Sequence, residues 1–544
     1  MKQNLTHLSV SFLCLFAANP YSALAAPPTI TSLFPAGGSR GTTVEFMAAG
    51  SVDPWPVKVE GTAGIVTPGK ERGKYTVAIG ADTPPGVHWF RAHNDDGASP
   101  LRPFIVGTLP EIVEAEPNDD HMQAKAIDAP GVVVNGRLAK TGDVDCFAVA
   151  LKQGQTLVAS VDANTALKSP MDGVLQVVSP AGSVVEQNND HRGLDPQLSF
   201  TAPAAGTYVV RLFAFPSVPD SSIRLAGGDA FIYRLTLTTT AFVDVPTPLA
   251  VGTAGGLVSV RGWNIPNTAS RVSVGDGRPG WVDLFHPRFA NVQRVRREAV
   301  PCHDATAAVP KLITPPFAVT GRLEKSNTPF EVAVAGKKGQ ALAVRAESRA
   351  FGLDVNPVVR VAGPDGKQLA RAEPAKLHAD TSLSFTPPAD GEYKVAVADL
   401  YGAAGPRSVF LLRVAPPEPD YELTVPVDRF AVPPDKTTDV TVKVTRRNGF
   451  SKPIEIVAEG SAGRAKFEPK APAGKEDPNA IVLTLTGGNA KASGPLTLFG
   501  RVAGEPGLTR LVHAPNGDFD EPTPRLWLTV GDTPVSTPPP KKKR

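Results

Sequence analysis

Apolar residues in this chain fall in short runs that alternate with polar ones, separated by glycine, proline and asparagine. Lys74–Ile79 (KYTVAI), Thr156–Val161 (TLVASV) and Asp439–Thr445 (DVTVKVT) place apolar groups at every second position. That is the period of a strand with one face buried, not of a helix. The 50 Gly and 55 Pro supply tight turns and interrupt helices. At 544 residues the chain exceeds what a single core organises. The expected fold is all-β: a rigid row of tandem β-sandwich modules, immunoglobulin-like and jelly-roll-like, with little helix.

Charge excludes one class of partner. The 56 basic and 53 acidic residues leave a formal +3, not the one-sided basic surface of a nucleic-acid binder. Residues 1–25 read as a signal peptide, with Lys2 before the apolar run Leu8–Ala18 and Ala23-Leu24-Ala25 at the cleavage positions. That run is too short to span a bilayer, and no later segment is apolar enough to do so. Export to the periplasm, the cell surface or the medium is the expectation. Cys14 would leave with the signal. Cys146 and Cys302 read as separate thiols rather than a bridge, given the strict geometry a disulfide needs.

Turn-rich stretches divide the chain into module one (26–108), module two (109–243), a short module three (244–310), module four (311–416), module five (417–531) and a basic tail (532–544). Residues 461–480 read as a long surface loop. Module four repeats module two. Gly136-Arg137-Leu138 returns as Gly321-Arg322-Leu323, Gly154-Gln155 as Gly339-Gln340, and Leu198-Ser199-Phe200 as Leu383-Ser384-Phe385, each 185 residues later. A constant offset implies a shared strand register.

Module two opens with Glu114-Ala115-Glu116-Pro117-Asn118-Asp119-Asp120, and Asp143 and Asp145 follow across a short loop. Calcium takes six to eight hard oxygen ligands. Glu114, Glu116, Asn118, Asp119, Asp143 and Asp145 would supply the side-chain share of a structural site. The plainer alternative is a solvated acidic linker with two aspartates fixing a turn. No counterpart of the acidic lead-in precedes module four, so a metal held this way is not expected there. Asn188-Asn189-Asp190-His191 with Asp195 reads as a turn, and Arg288, Arg294, Arg296 and Arg297 as a solvated face. Signatures of zinc hydrolases, nucleophile elbows, Walker loops and dinucleotide folds are missing. Cys302-His303 would need a special loop to act as a couple, since neighbours on a strand point apart.

The strings AEPNDD, VNGRLAKTGDVDCFAV, LKQGQTL and DPQLSFTAPAAGTYVVRL, in that order, resemble the bacterial pre-peptidase C-terminal domain family across about Glu111 to Thr240. The resemblance implies a β-sandwich attached to exported proteins, with calcium at the acidic lead-in and paired aspartates. Module one, where Pro35-Ala36-Gly37-Gly38-Ser39-Arg40-Gly41 precedes Thr42-Thr43-Val44-Glu45-Phe46, resembles the immunoglobulin-like IPT/TIG family, and module three a shortened cousin of it. Together these readings point to a non-catalytic exported protein of binding, adhesion or scaffolding type, facing an extracellular or envelope protein or polysaccharide. Its rivals are an accessory or targeting subunit of a secreted hydrolase or peptidase, and a hydrolase whose site is formed only in space.

Overall fold

The computed structural model describes residues 26–531, less 220–223, 306–308, 461–464, 471–476 and 503. The expected signal peptide and the basic tail lie outside the described residues. The rest is built of strands, with four-residue Asn164–Leu167 the one α-helix among the described residues. Among them no helix is long and apolar enough to cross a membrane.

Each pair of facing sheets draws on one continuous stretch of chain. Module one has a four-stranded and a five-stranded sheet that enclose Phe46, Tyr75, Phe90 and Phe104. Module two has two five-stranded sheets. Its strand Asp145–Leu151 buries Phe147, Val149 and Leu151 in one core, as alternation demands. Module three is smaller, with two three-stranded sheets. Its orders match the inner part of module one: one sheet begins on a short antiparallel pair, and the other pairs Ala250–Gly252 parallel to Gln293–Glu298 as Gly37–Ser39 pairs parallel to Arg102–Gly107.

Module four repeats module two with sheets of five and four, the strand Lys125–Ile127 being reduced there to the single bridge Ile313–Val334. Strand Cys302–Asp304, assigned by sequence to module three, pairs with Phe317–Arg322 of module four. Module five differs. Its strands form one ten-stranded sheet, wrapped over a single core through the long strand Glu505–Asn516. The loop expected over 461–480 is interrupted by strand Lys466–Pro469, which pairs with Ala480–Thr486. Four residues of mixed polarity, KFEP, carry too little alternation to announce an edge strand.

The modules do not run out in a row, because module five folds back onto module one. Arg91 pairs with Asp428 at 2.5 Å, and Arg429 donates to the Ala98 carbonyl at 3.1 Å. The His93 ring lies 4.8 Å from that of Trp527, and Trp89 meets Phe519 edge-on. Modules three and four join through Arg407, which pairs with Asp244 and with Asp354, and through Trp281 against Phe351. The Arg40 guanidinium sits 4.4 Å over the Phe285 ring, tying module one to module three. Sequence periodicity reports burial within a module and says nothing about which outer faces meet, so this closure was invisible to it.

Candidate metal centre

Strand Glu111–Val113 runs parallel to Gly131–Arg137 and delivers the acidic lead-in to the open end of the sandwich. There Asp143 and Asp145 wait, held by a turn in which Gly142 adopts a left-handed φ of 88°. All six residues expected from the sequence meet along one seam.

The inner part is buried. Glu114 accepts from the Arg137 amide at 2.5 Å. The Tyr233 hydroxyl lies 2.9 Å from Glu114 Oε2 and 2.7 Å from Asp145 Oδ2. One phenolic proton cannot serve both carboxylates as drawn. Burial, and then the Glu114 charge, push Asp145 up to about 9, so the pair keeps a proton when no cation is present. Burial and the same two acids raise the Tyr233 phenol.

The outer part is wetter. Glu116, Asp119 and Asp143 each offer an oxygen within 4.8 Å of the others. Lys140 Nζ donates to Asp119 at 3.0 Å and stands 3.9 Å from Asp143 Oδ1. Asp143 Oδ2 accepts from the amides of Ala139 and Lys140. Its carboxyl is raised, by burial first and by the adjoining Asp119 second, whereas Asp119 is lowered by its bonds to Asp143 and Lys140.

Asn118 decides whether the seam fits a cation. It is fully buried, its amide N–H donates to Glu116 at 2.9 Å, and its side chain lies beside Asp145. Yet Oδ1 and Nδ2 of Asn118, Oδ1 of Asp143 and Oδ1 of Asp145 complete no hydrogen bond among the described residues. Leaving buried polar atoms unmatched costs roughly 1–3 kcal/mol each. Five carboxylates and an amide oxygen are the donor set of a hard divalent ion. The residues present fit calcium.

Tyr233 and Lys140 belong to the site and were missed. Lys140 carried no distinguishing neighbour. Tyr233 lies in FIYRLTLTT, which reads only as a strand, and its hydroxyl reaches the acids because Gly136 stands opposite it. A Cβ at Gly136 would come within 2.1 Å of the Tyr233 hydroxyl oxygen.

The other clusters are structural. Asp195 accepts from the amides of Asn164 and Thr165, and at the matching place Asp380 accepts from Ser348, Arg349 and Ala350. Arg294 pairs with Asp283 and Arg296 with Glu347, while Arg288 bonds to Thr268 and Arg297 to backbone carbonyls. Cys146 and Cys302 are free thiols in different modules. Burial raises Cys302 to about 11, and His303 packs its ring toward Phe317, so the two form no couple.

A family model for the bacterial pre-peptidase C-terminal domain matches residues 143–214. Module two is a pre-peptidase C-terminal domain. The matched residues include Asp143 and Asp145; the acidic lead-in precedes them. A probable subtilase-type serine protease of Deinococcus radiodurans is 33% identical over 98 residues, which is 18% of this chain and 14% of the protease. This chain therefore spans about a seventh of that relative. Among solved structures, a periplasmic inhibitor of g-type lysozyme from Aeromonas hydrophila aligns with 24% of this chain and 95% of its own, at 13% identity and a TM-score of 0.15. An alpha-2-macroglobulin from Escherichia coli aligns with 91% of this chain and 52% of its own, at 12% identity and a TM-score of 0.13. Scores this low carry no argument. A pre-peptidase C-terminal domain is a non-catalytic appendage, and the stretch shared with the protease is too short to bring a catalytic centre with it.

Proposed function

We propose that this chain is a non-catalytic exported scaffold whose pre-peptidase C-terminal domain holds a structural calcium ion. Glu114, Glu116, Asn118, Asp119, Asp143 and Asp145 would hold it. The carrying observation is the set of buried oxygens without partners on Asn118, Asp143 and Asp145. Bound there, the ion neutralises acids that otherwise repel or stay protonated, and displaces the Lys140 ammonium from Asp119.

The position explains what the ion is for. Three residues before Glu114, Glu111 takes both ends of Arg234 at 2.7 and 2.8 Å. Module one rests on that guanidinium, because a Cβ at Gly37 would lie 1.8 Å from Arg234 Nη1. Fixing the lead-in therefore fixes the angle between modules one and two. On this reading the IPT/TIG-like modules one and three, together with module five, present outer faces to an extracellular or envelope protein or polysaccharide. A second reading, an accessory subunit of a secreted peptidase, is favoured by the family of module two and by its protease relative. Recovery of a peptidase with the native protein would select it.

The calcium reading is tested on the mature full-length chain by thermal unfolding in excess calcium and in chelator. A rise with calcium that Asp143→Asn removes supports it. Identical unfolding in both, with no heat on calorimetric titration, overturns it.

A further inference from the structure

The face where modules one and five meet encloses a cavity of about 260 Å³. Its walls are apolar in the main, with Leu101 and Trp89 from module one and Leu511 from module five. Three charged side chains line it: Arg91, Arg525 and Glu60. Arg91 is 3% exposed. Its Nη2 meets Asp428, whereas Nε and Nη1 have no acceptor among the described residues. Arg525 is exposed at the edge, and no carboxylate among the described residues pairs with it. Glu60 is its one charged influence of opposite sign.

A buried guanidinium with two open N–H groups, and a second guanidinium at the rim that no carboxylate among the described residues pairs with, give this hollow hydrogen-bond donors over an apolar floor. Phosphate would bring strongly hydrated oxygens against leucine and tryptophan, which is costly. A carboxylate with an apolar body matches both parts: planar oxygens for the fork of Arg525, and a ring or alkyl group for the floor. We propose that the cavity between modules one and five binds an apolar carboxylate through Arg525, with the open Nε and Nη1 groups of Arg91 beneath it as further donors. Such a group is found on a small organic acid and on the carboxyl-terminal residue of a peptide. The occupant touches both modules and strengthens the contact between them.

The full-length chain is titrated with N-acetylphenylalanine, followed by calorimetry and by tryptophan emission, since Trp89 lines the cavity. Saturable binding is expected, with no binding of the corresponding amide. Arg525→Glu should weaken it roughly tenfold or more, the worth of one charge-assisted bidentate contact. Arg525→Gln, isosteric along most of its length and uncharged, should weaken it less with unchanged melting. A tetrapeptide ending in phenylalanine that binds more tightly than N-acetylphenylalanine assigns the occupant to a chain end, and equal affinity assigns it to a small acid. Equal binding of acid and amide, absence of saturation at millimolar concentration, or an Arg525→Glu protein with unaltered affinity overturns the proposal.

Discussion

Modules two and four share nine strands in the same order, and at the same place one has two acids and a tyrosine where the other has an alanine and two phenylalanines. Asp145 opens its strand opposite Leu212, and Phe330 opens the matching strand opposite Val397. Tyr233 faces Gly136, and Phe410 faces Gly321. The Glu114 amide bonds to the Asn135 carbonyl, and the Ala305 amide to that of Thr320. Glu114, Asp145 and Tyr233 thus become Ala305, Phe330 and Phe410. The two rings in module four stack edge-to-face at 5.4 Å, a contact worth about 0.5–1.5 kcal/mol beyond the burial itself. On the calcium reading, the same place between sheets is closed by packing in module four and by an ion in module two, and packing alone makes no demand on the medium.

The joint beside it shows the same exchange. Glu111, Asn135 and Arg234 form a buried polar triad, and Cys302, Thr320 and Leu411 stand at the corresponding positions. Leu411 and Cys302 pack with Leu249 and Ala250 of module three. At these matched positions the joint of modules one and two is polar and that of modules three and four apolar, although ion pairs such as Arg407–Asp244 and Arg296–Glu347 flank the second joint.

The comparison breaks most sharply if Phe330 accepts a charge. Phe330→Asp without its five partners should cost module four about 3–5 kcal/mol, from lost packing and an unpaired carboxylate. Hydrogen exchange resolved by module reads this, and an unchanged module four would mean the aromatic pair is not what fills the gap. Next in size, Arg234→Leu strands Glu111 and should cost about 3 kcal/mol at the joint of modules one and two. Adding Glu111→Cys, which copies module four, should return most of that loss. If the double variant is no better than the single, the polar triad does more than fill the joint.

Calcium at a hundred times its dissociation constant should stabilise module two by about 2.7 kcal/mol and leave module four unmoved, in the same exchange measurement. Protection rising equally in both would place the ion elsewhere. The smallest effect expected is with acid. His191 is lowered to about 4, by burial first and by Arg407 and Arg192 next. Its folded form resists a proton that the unfolded chain accepts near pH 6.5, so stability is full above neutrality and is lost as pH falls from 6.5 towards 4. The ring is half-buried, and after solvent screening the loss is about 1–2 kcal/mol. The residue at the matching place in module four is exposed Lys376, which should show no such slope. His191→Gln should flatten the curve of module two.

Much of this was readable in advance. Strands Lys74–Ile79 and Thr437–Arg447 fall where alternation put them. That the six oxygen-bearing residues come together was readable because acids crowded beside Pro117 and after Gly142 repel unless something offsets them. Tyr233 was not, because its partners stand on other strands and only the pairing of Gly136 with Tyr233 brings them together. The repeat itself hid the match, since the stretch before Ile232–Thr238 is longer than the one before Val409–Ala415, which breaks the constant spacing. Residues such as Arg91 and Arg407 look like ordinary surface charges until the module that covers them is in place.

Arg91 and Asp428 stand 337 positions apart. During synthesis from the amino end, module one can complete its own core long before the residue that neutralises this guanidinium exists. The partly made chain must carry an uncompensated charge and the ring of Trp89 on an unfinished face, a state in which wrong association is easiest. Closing so long a loop adds little entropy beyond that of a shorter one, so the delay is set by the order of manufacture rather than by the distance to be travelled.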